Sequence, residues 1–253
     1  MNLIKKIIMY IVVILIVLGI GFMFIKVFAF DKNENIEVPD IPEVTDALVK
    51  KLYNVLPTTN RFSQYSVYTG EYKTKSSTSY NAMGTITFNY INIFDEFSPE
   101  LVSEEERNNI NGNVLYKVNK DIFLKDSKNI LGPEVSFKPD SLEISDNVKI
   151  KLINDYYYVY EVPKEESEFV YYKIYDSYTV TDNKQTIKIY EYYLRCNKNT
   201  TTCYDSEKDD VVNNYIKYQE NINILDYKEH LKKYEHVFEY DQNHYYWKST
   251  QGI

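Results

Sequence analysis

The sequence predicts an α+β fold class: a transmembrane helix at the N-terminus, then a domain of helices packed on an antiparallel β-sheet. Three observations carry that expectation. Residues 7–25 are nineteen positions without a charge. Residues 45–124 hold helix starts and helical spacing, and from 149 onward runs rich in Tyr, Ile and Val alternate with short polar segments.

At about 1.5 Å per residue, a helix over 7–25 reaches about 28 Å, close to the ~30 Å hydrocarbon core of a bilayer. Lys5 and Lys6 precede it. Positive charge is retained inside, so residues 1–6 are expected in the cytoplasm and the bulk of the chain on the far side. Lys26 suits a helix terminus, because its stem can stay in lipid while the ammonium reaches the headgroups. Residues 7–30 therefore read as a signal anchor contacting the cell membrane. A cleaved signal peptide competes, with Val27-Phe28-Ala29 as its site, although the apolar run is long for one. The only cysteines are Cys196 and Cys203, far from this run, which excludes a lipoprotein. Residues 31–44, with Pro39 and Pro42 among acidic residues, read as a tether. Residues 45–253 read as the extracytoplasmic α+β domain.

Lys5, Lys6 and Lys26 are the only charges before Asp31, so 26 basic residues face all 37 acidic ones outside the anchor, a net charge of −11. A surface this acidic opposes nucleic acid, and no nucleic-acid partner is expected. Tyrosine is the outlier at 27 residues. It favours strands with one partly wet face, and tyrosine-rich surfaces also serve recognition.

Thr45 or Asp46 can cap a first helix to Leu56, with Leu48, Leu52 and Val55 on one face and Pro57 ending it. Residues 79–94 fit two periods. Thr85 to Tyr90 alternate like a strand, while Met83, Ile86, Tyr90 and Phe94 share a helix face. Ser103 with Glu106 forms a capping box that opens a helical stretch over 104–124, which Asn111-Gly112 can divide. Ile110, Val114, Val118 and Ile122 recur every four residues. Residues 126–148, with Pro133 and Pro139, read as an extended connection. Then come strands over 149–162, 169–180 and 185–196, with Thr181-Asp182-Asn183-Lys184 as a hairpin turn. Short connections require antiparallel pairing. A short helix over 225–234 and a last hairpin, 236–240 with 245–249, complete a meandering sheet.

Cys196 and Cys203 bracket a six-residue polar loop in a compartment expected to be oxidising, which favours a disulfide over free thiols or a redox pair. No metal or cofactor is expected. His230, His236 and His244 form no HxxxH or HExxH pair, and Asp205, Glu207 and Asp209 lack the glycine and twelfth-position Glu of a calcium loop. They read as an acidic solvated loop. There is no G-x-S-x-G elbow and no Gly-rich phosphate cradle. Trp247, the only tryptophan, shares a face with Tyr245 if the terminal strand alternates, and Tyr246 takes the other. Trp247 is expected to close the core. The competing reading makes Tyr245 and Trp247 an aromatic binding surface.

The ending Tyr234-Glu235-His236-Val237-Phe238-Glu239-Tyr240, then Tyr245-Tyr246-Trp247-Lys248-Ser249-Thr250, with the hairpin Arg195-Cys196 to Cys203-Tyr204, resembles one group of proteins. These are single-pass, Tyr/Lys/Asn-rich exported proteins of AT-rich Gram-positive or wall-less bacteria. The resemblance covers mostly residues 150–250 and implies a bacterial envelope protein. No activity or site residue comes with it. In element order alone the chain also resembles NTF2-like or cystatin-like cones. The expectation from the whole sequence is a membrane-anchored binding or interaction module with an unknown envelope protein or ligand as partner. The alternative is a cell-wall-directed hydrolase using paired carboxylates.

Overall fold

Thr45 accepts a hydrogen bond from the Leu48 amide at 3.2 Å, which caps α1 (Asp46–Val55). The computed structural model describes residues 41–57, 67–68, 77–94, 100, 102–164, 166–181, 183–205, 212 and 215–253. The expected anchor over 7–30 and tether residues 31–40 lie outside the described residues. Among the described residues, no helix is long and apolar enough to cross a membrane.

Leu52 and Val55 are buried on α1 as its spacing implied, but the third buried residue is Val49, and Leu48, expected on that face, is only partly buried. The ambiguous segment is helical: α2 (Ser77–Phe94). It lies in the middle of the core, with Ala82, Met83, Ile86 and Ile91 all buried. A helix satisfies its own backbone there, and two of its asparagines find partners in neighbouring elements. Asn89 donates to the Val55 carbonyl at 3.1 Å, and Asn81 accepts from the Glu143 amide at 2.9 Å. Gly84 sits where a Cβ would be 2.4 Å from Leu142 Cδ1, so only glycine lets the helix approach this closely.

The capping box of Ser103 and Glu106 is present, but it opens only a short helix, α3 (Glu104–Asn108). The expected helix over 104–124 is corrected by β1 (Asn113–Asn119) and α4 (Lys120–Leu131). A repeat of four is compatible with both periods, since residues four apart share a strand face as well as a helix face. Val114 and Val118 are both buried from the strand, but the register shift between Val114 and Tyr116 puts Val118 in the main core and Val114 against Val102, Ile110 and Tyr158; Ile122 on α4 is 37 % exposed. The extended connection expected over 126–148 is corrected as well. Its start belongs to α4, which ends at Gly132 with φ +97°, where a Cβ would also meet the Tyr246 ring.

The expected meander is two antiparallel sheets instead of one. The first has the order β1-β4-β3-β2, from β2 (Ser141–Glu143), β3 (Val148–Ile153) and β4 (Tyr156–Glu161). The run 149–162 is thus a hairpin, turned at Asn154 with φ 55°, a conformation asparagine tolerates. The second sheet has the order β5-β6-β8-β9, with β5 (Phe169–Val180), β6 (Thr186–Asn197), β8 (Lys233–Tyr240) and β9 (Tyr245–Gly252). The short β7 (Cys203–Tyr204) pairs with β6, and its Cys203 is the register partner of Cys196. Their sulfurs are 2.05 Å apart, the disulfide that the spacing suggested. Ile224–His230 is a 3₁₀-helix, shorter than expected because β8 already starts at Lys233.

The helices and the inner faces of both sheets share one core. A smaller cluster forms on the outer face of the second sheet, where Val212, Ile216, Ile224 and Leu231 cover Leu194 and the disulfide. That sheet is therefore buried on both sides at this end. Asp205, expected to be solvated, is buried in the same region. Its carboxylate accepts from the Lys232 amide at 3.1 Å and its carbonyl from the Tyr234 hydroxyl at 2.6 Å. Glu207 and Asp209 lie outside the described residues.

Candidate functional site: a tyrosine-lined cleft

β5 is an edge strand, and α1 crosses the inner face of the sheet beside it. Between them opens a cleft of about 500 Å³ lined by Asp46, Val49, Lys50, Tyr53, Asn54, Tyr175 and Tyr178. A neighbouring cavity of about 560 Å³ shares Tyr53, Asn54 and Tyr175 and extends along β5 past Lys173. A cleft that combines aromatic and apolar surface with a few convergent polar groups is the usual form of a ligand site.

A β-bulge builds this cleft. Strict alternation would put Tyr175 and Tyr178 on opposite faces, being three apart. The register shift between Tyr175 and Ser177 places Tyr175 opposite Glu191 and Tyr178 opposite Ile189, both inward-facing positions of β6. Bulges re-aim side chains in this way. Tyr53 and Tyr175 then meet edge to face, centroids 5.4 Å apart and planes at 71°. Tyr178 donates to Asp46 Oδ1 at 2.8 Å, and that hydrogen bond pushes its hydroxyl above the ordinary tyrosine range. Tyr175 remains 42 % exposed.

Polar groups lie beneath the cleft. Lys173 Nζ sits 4.2 Å from the Tyr53 ring centroid, sealed from water and without a hydrogen-bond acceptor among the described residues. Burial pushes this amine down to about 7. Burial, and then the nearby Glu191 charge, hold the Tyr53 hydroxyl far above its usual range. Glu191 Oε1 is 2.7 Å from His236 Nε2, and His236 Nδ1 is 2.6 Å from Thr250 Oγ1. Trp247 Nε1 donates to the same Thr250 oxygen at 3.1 Å. These three contacts are mutually consistent when Trp247 donates to Thr250, Thr250 to Nδ1, and Nε2–H to Glu191 Oε1.

Hydroxyl, imidazole and carboxylate in a row have the connectivity of a nucleophilic triad. Burial gives this one another role. His236, Glu191 and Trp247 are fully removed from solvent, and Thr250 nearly so, leaving the hydroxyl no room for a substrate. Tyr68 closes the set from above, stacked on Tyr193 at 4.0 Å and edge-on to His236 at 5.8 Å.

Of the residues singled out from the sequence, Tyr245 and Trp247 do share the inner face of β9, and Tyr246 takes the other. Both are buried in the main core, so they are corrected as a binding surface and placed as core. Cys196 and Cys203 are also buried, in the smaller cluster. Sequence reasoning missed Asp46, Tyr53, Tyr175 and Tyr178. With 27 tyrosines, nothing in the composition distinguishes these three, and the bulge that brings two together has no glycine to mark it.

The largest cavity, about 810 Å³, lies instead over β2 and β3. Its carboxylates are Asp140 and Glu143, and Glu143 is ion-paired with Lys149 at 3.1 Å. Among the described residues no group of three or more His, Cys, Asp or Glu could hold a metal ion. No protein-family model matches the chain, and neither a curated protein nor a solved structure is similar to it.

Proposed function

We propose that this chain is a membrane-anchored, extracytoplasmic binding module of the bacterial envelope, and that the cleft between α1 and β5 is its recognition element. One observation carries the binding role: three tyrosines and a carboxylate converge on a solvent-open cleft, while the buried acid–base set below it is closed to substrates. The anchoring rests on the uncharged run 7–25 behind Lys5 and Lys6. The Cys196–Cys203 bond suits an oxidising compartment and supports export. The resemblance to exported Tyr/Lys/Asn-rich envelope proteins points the same way. The cone-like element order contributes architecture only, because a fold does not specify a function.

Two measurements on the full-length chain test this reading. Protease added outside intact, wall-stripped cells should digest residues 45–253, and complete protection would refute the topology. Tyr175→Ala/Tyr178→Ala should abolish saturable retention of the chain on isolated envelope material while leaving its melting temperature within a few degrees. Retention that ignores both tyrosines would remove the cleft from the proposal.

A further inference from the structure

We infer that the cleft binds an organic ammonium group, of the trimethylammonium or alkylated-amine class, within the corner formed by Tyr53, Tyr175 and Tyr178 and against the Asp46 carboxylate. The inference rests on the binding role proposed above and names its ligand chemistry.

Four features converge on a cation. Tyr53 and Tyr175 meet at 71°, so a compact group in the corner would meet one ring face and one ring edge, with Tyr178 bounding the far side. Ring faces carry negative potential and attract weakly hydrated cations, and cages of several aromatics are the general solution for quaternary ammonium groups. Second, the polar atom that fixes Tyr178 in place is a carboxylate oxygen, and Asp46 is exposed at the cleft mouth. A carboxylate favours a cation over a neutral group of the same shape and opposes an anion. Third, the Tyr53 ring already has an amine 4.2 Å from its centroid, that of Lys173. The ring therefore packs against an amine nitrogen in the protein itself, and burial, which favours the neutral amine, limits its repulsion of a cation in the cleft. Lys50, the other amine lining the cleft, is exposed to water. Fourth, the net charge of −11 beyond the anchor draws cations toward the domain and repels anionic ligands.

The cleft, at about 500 Å³, accommodates a trimethylammonium head with part of whatever carries it. Contact with a fully alkylated nitrogen needs no hydrogen-bond donor from the ligand. A tyrosine-lined wall on which the Tyr178 hydroxyl is already engaged by Asp46 suits such a head.

The test uses the full-length chain in nonionic detergent and follows ligand methyl protons by saturation-transfer NMR, with empty micelles as blank. Choline should bind with a millimolar Kd. Its neutral isostere 3,3-dimethylbutan-1-ol should bind at least about five-fold more weakly, the difference being the cation–π and carboxylate attraction. Tyr175→Ala and Asp46→Asn should each weaken choline by about three- to ten-fold. Both positions are exposed, so circular dichroism should show folded variants. Raising salt should weaken binding as the acidic field is screened. Glycerophosphocholine separates the sources. Tighter binding than choline assigns a headgroup carried on a phosphodiester, and weaker binding assigns a free ammonium compound. Equal binding of choline and the neutral isostere overturns the inference, as does choline binding that neither variant affects. If choline fails while the tyrosine double variant still loses envelope retention, the ligand class is wrong and the binding role stands.

Discussion

His236 Nε2 lies 2.7 Å from Glu191 Oε1 with both side chains withdrawn from water, on neighbouring strands of the second sheet. The contact joins the cleft to the core, since Glu191 also lies opposite Tyr175 on β5. A buried pair of this kind is weak as a source of stability and costly to break, because removing one partner strands the other. Glu191→Ala and His236→Ala should each cost about 3–5 kcal/mol. Glu191→Gln, which can still accept from Nε2–H, should cost about 1–2 kcal/mol. Urea unfolding of the three variants checks the order, and a harmless Glu191→Ala would contradict it.

Trp247 fills the same layer, and its indole N–H is committed to Thr250. Trp247→Ala should cost about 3–5 kcal/mol through the cavity and the lost hydrogen bond. As the only tryptophan, it should give blue-shifted emission that aqueous quenchers barely reach. Red-shifted, freely quenched emission would contradict its burial.

Lys173 gives stability a pH dependence of definite sign. Its amine is lowered by burial from 10.5 to about 7. Between those values the unfolded chain holds a proton that the folded chain has released, so stability rises as pH climbs through the interval. The penalty is complete below about 7. Lys173→Met should stabilise the domain by about 1–3 kcal/mol at pH 6–7 and flatten the dependence from pH 7 to 9. Measurements belong below pH 10, because burial pushes the Tyr116 and Tyr157 hydroxyls up to about 12. Those tyrosines resist ionisation in the fold, so their contribution falls as pH rises past their ordinary value of 10.

Glu106 gives a dependence of the same sign as Lys173, but in the acid range. Lys117 and Tyr158 donate to it at 2.7 and 2.6 Å, and these hydrogen bonds pull its carboxyl down to about 2. Its stabilising contribution is complete above the ordinary range near 4.5 and is lost as pH falls through about 2. Carboxyl carbon-13 NMR should find Glu106 ionised at pH 3, and Glu106→Gln should make acid unfolding less steep. A titration midpoint near 4.5 would show that the cluster does not hold in solution.

Non-reducing peptide mapping should recover Cys196 linked to Cys203. The loop between them is short, and Asn197 organises it by accepting from the Asn199 and Thr200 amides at 2.8 and 3.0 Å. The double Cys→Ala variant should therefore fold and lose about 2–3 kcal/mol in thermal or urea unfolding.

Local chemistry was legible wherever one stretch of chain decides the outcome by itself. Thr45 as a cap, Pro57 as a stop, the Ser103–Glu106 box and the cysteine pair all act over a few residues, and each is where the sequence put it. The alternation that paired Tyr245 with Trp247 is equally local, as is the α+β class drawn from runs of one period or another. Period-ambiguous segments were settled by burial. Residues 79–94 became a helix because they lie at the centre of the core, and Val114 and Val118 became strand residues because β4 was there to pair with them.

The cleft depended on tertiary structure throughout. Asp46 and Tyr178 are 132 residues apart and meet only when α1 lies across β5. Tyr175 and Tyr178 face the same way only because a bulge adds one residue between them, a local break in pairing that the register with β6 imposes. His236 looked like an isolated histidine until the sheet brought Glu191 and Thr250 to its two nitrogens. The sequence by itself determined the α+β class, the caps, the cysteine bridge and an acidic charge balance, because these follow from neighbours along the chain and from composition. Which tyrosines meet and which carboxylates are sealed away were decided by strand register and helix placement, which depend on contacts between residues far apart in the chain.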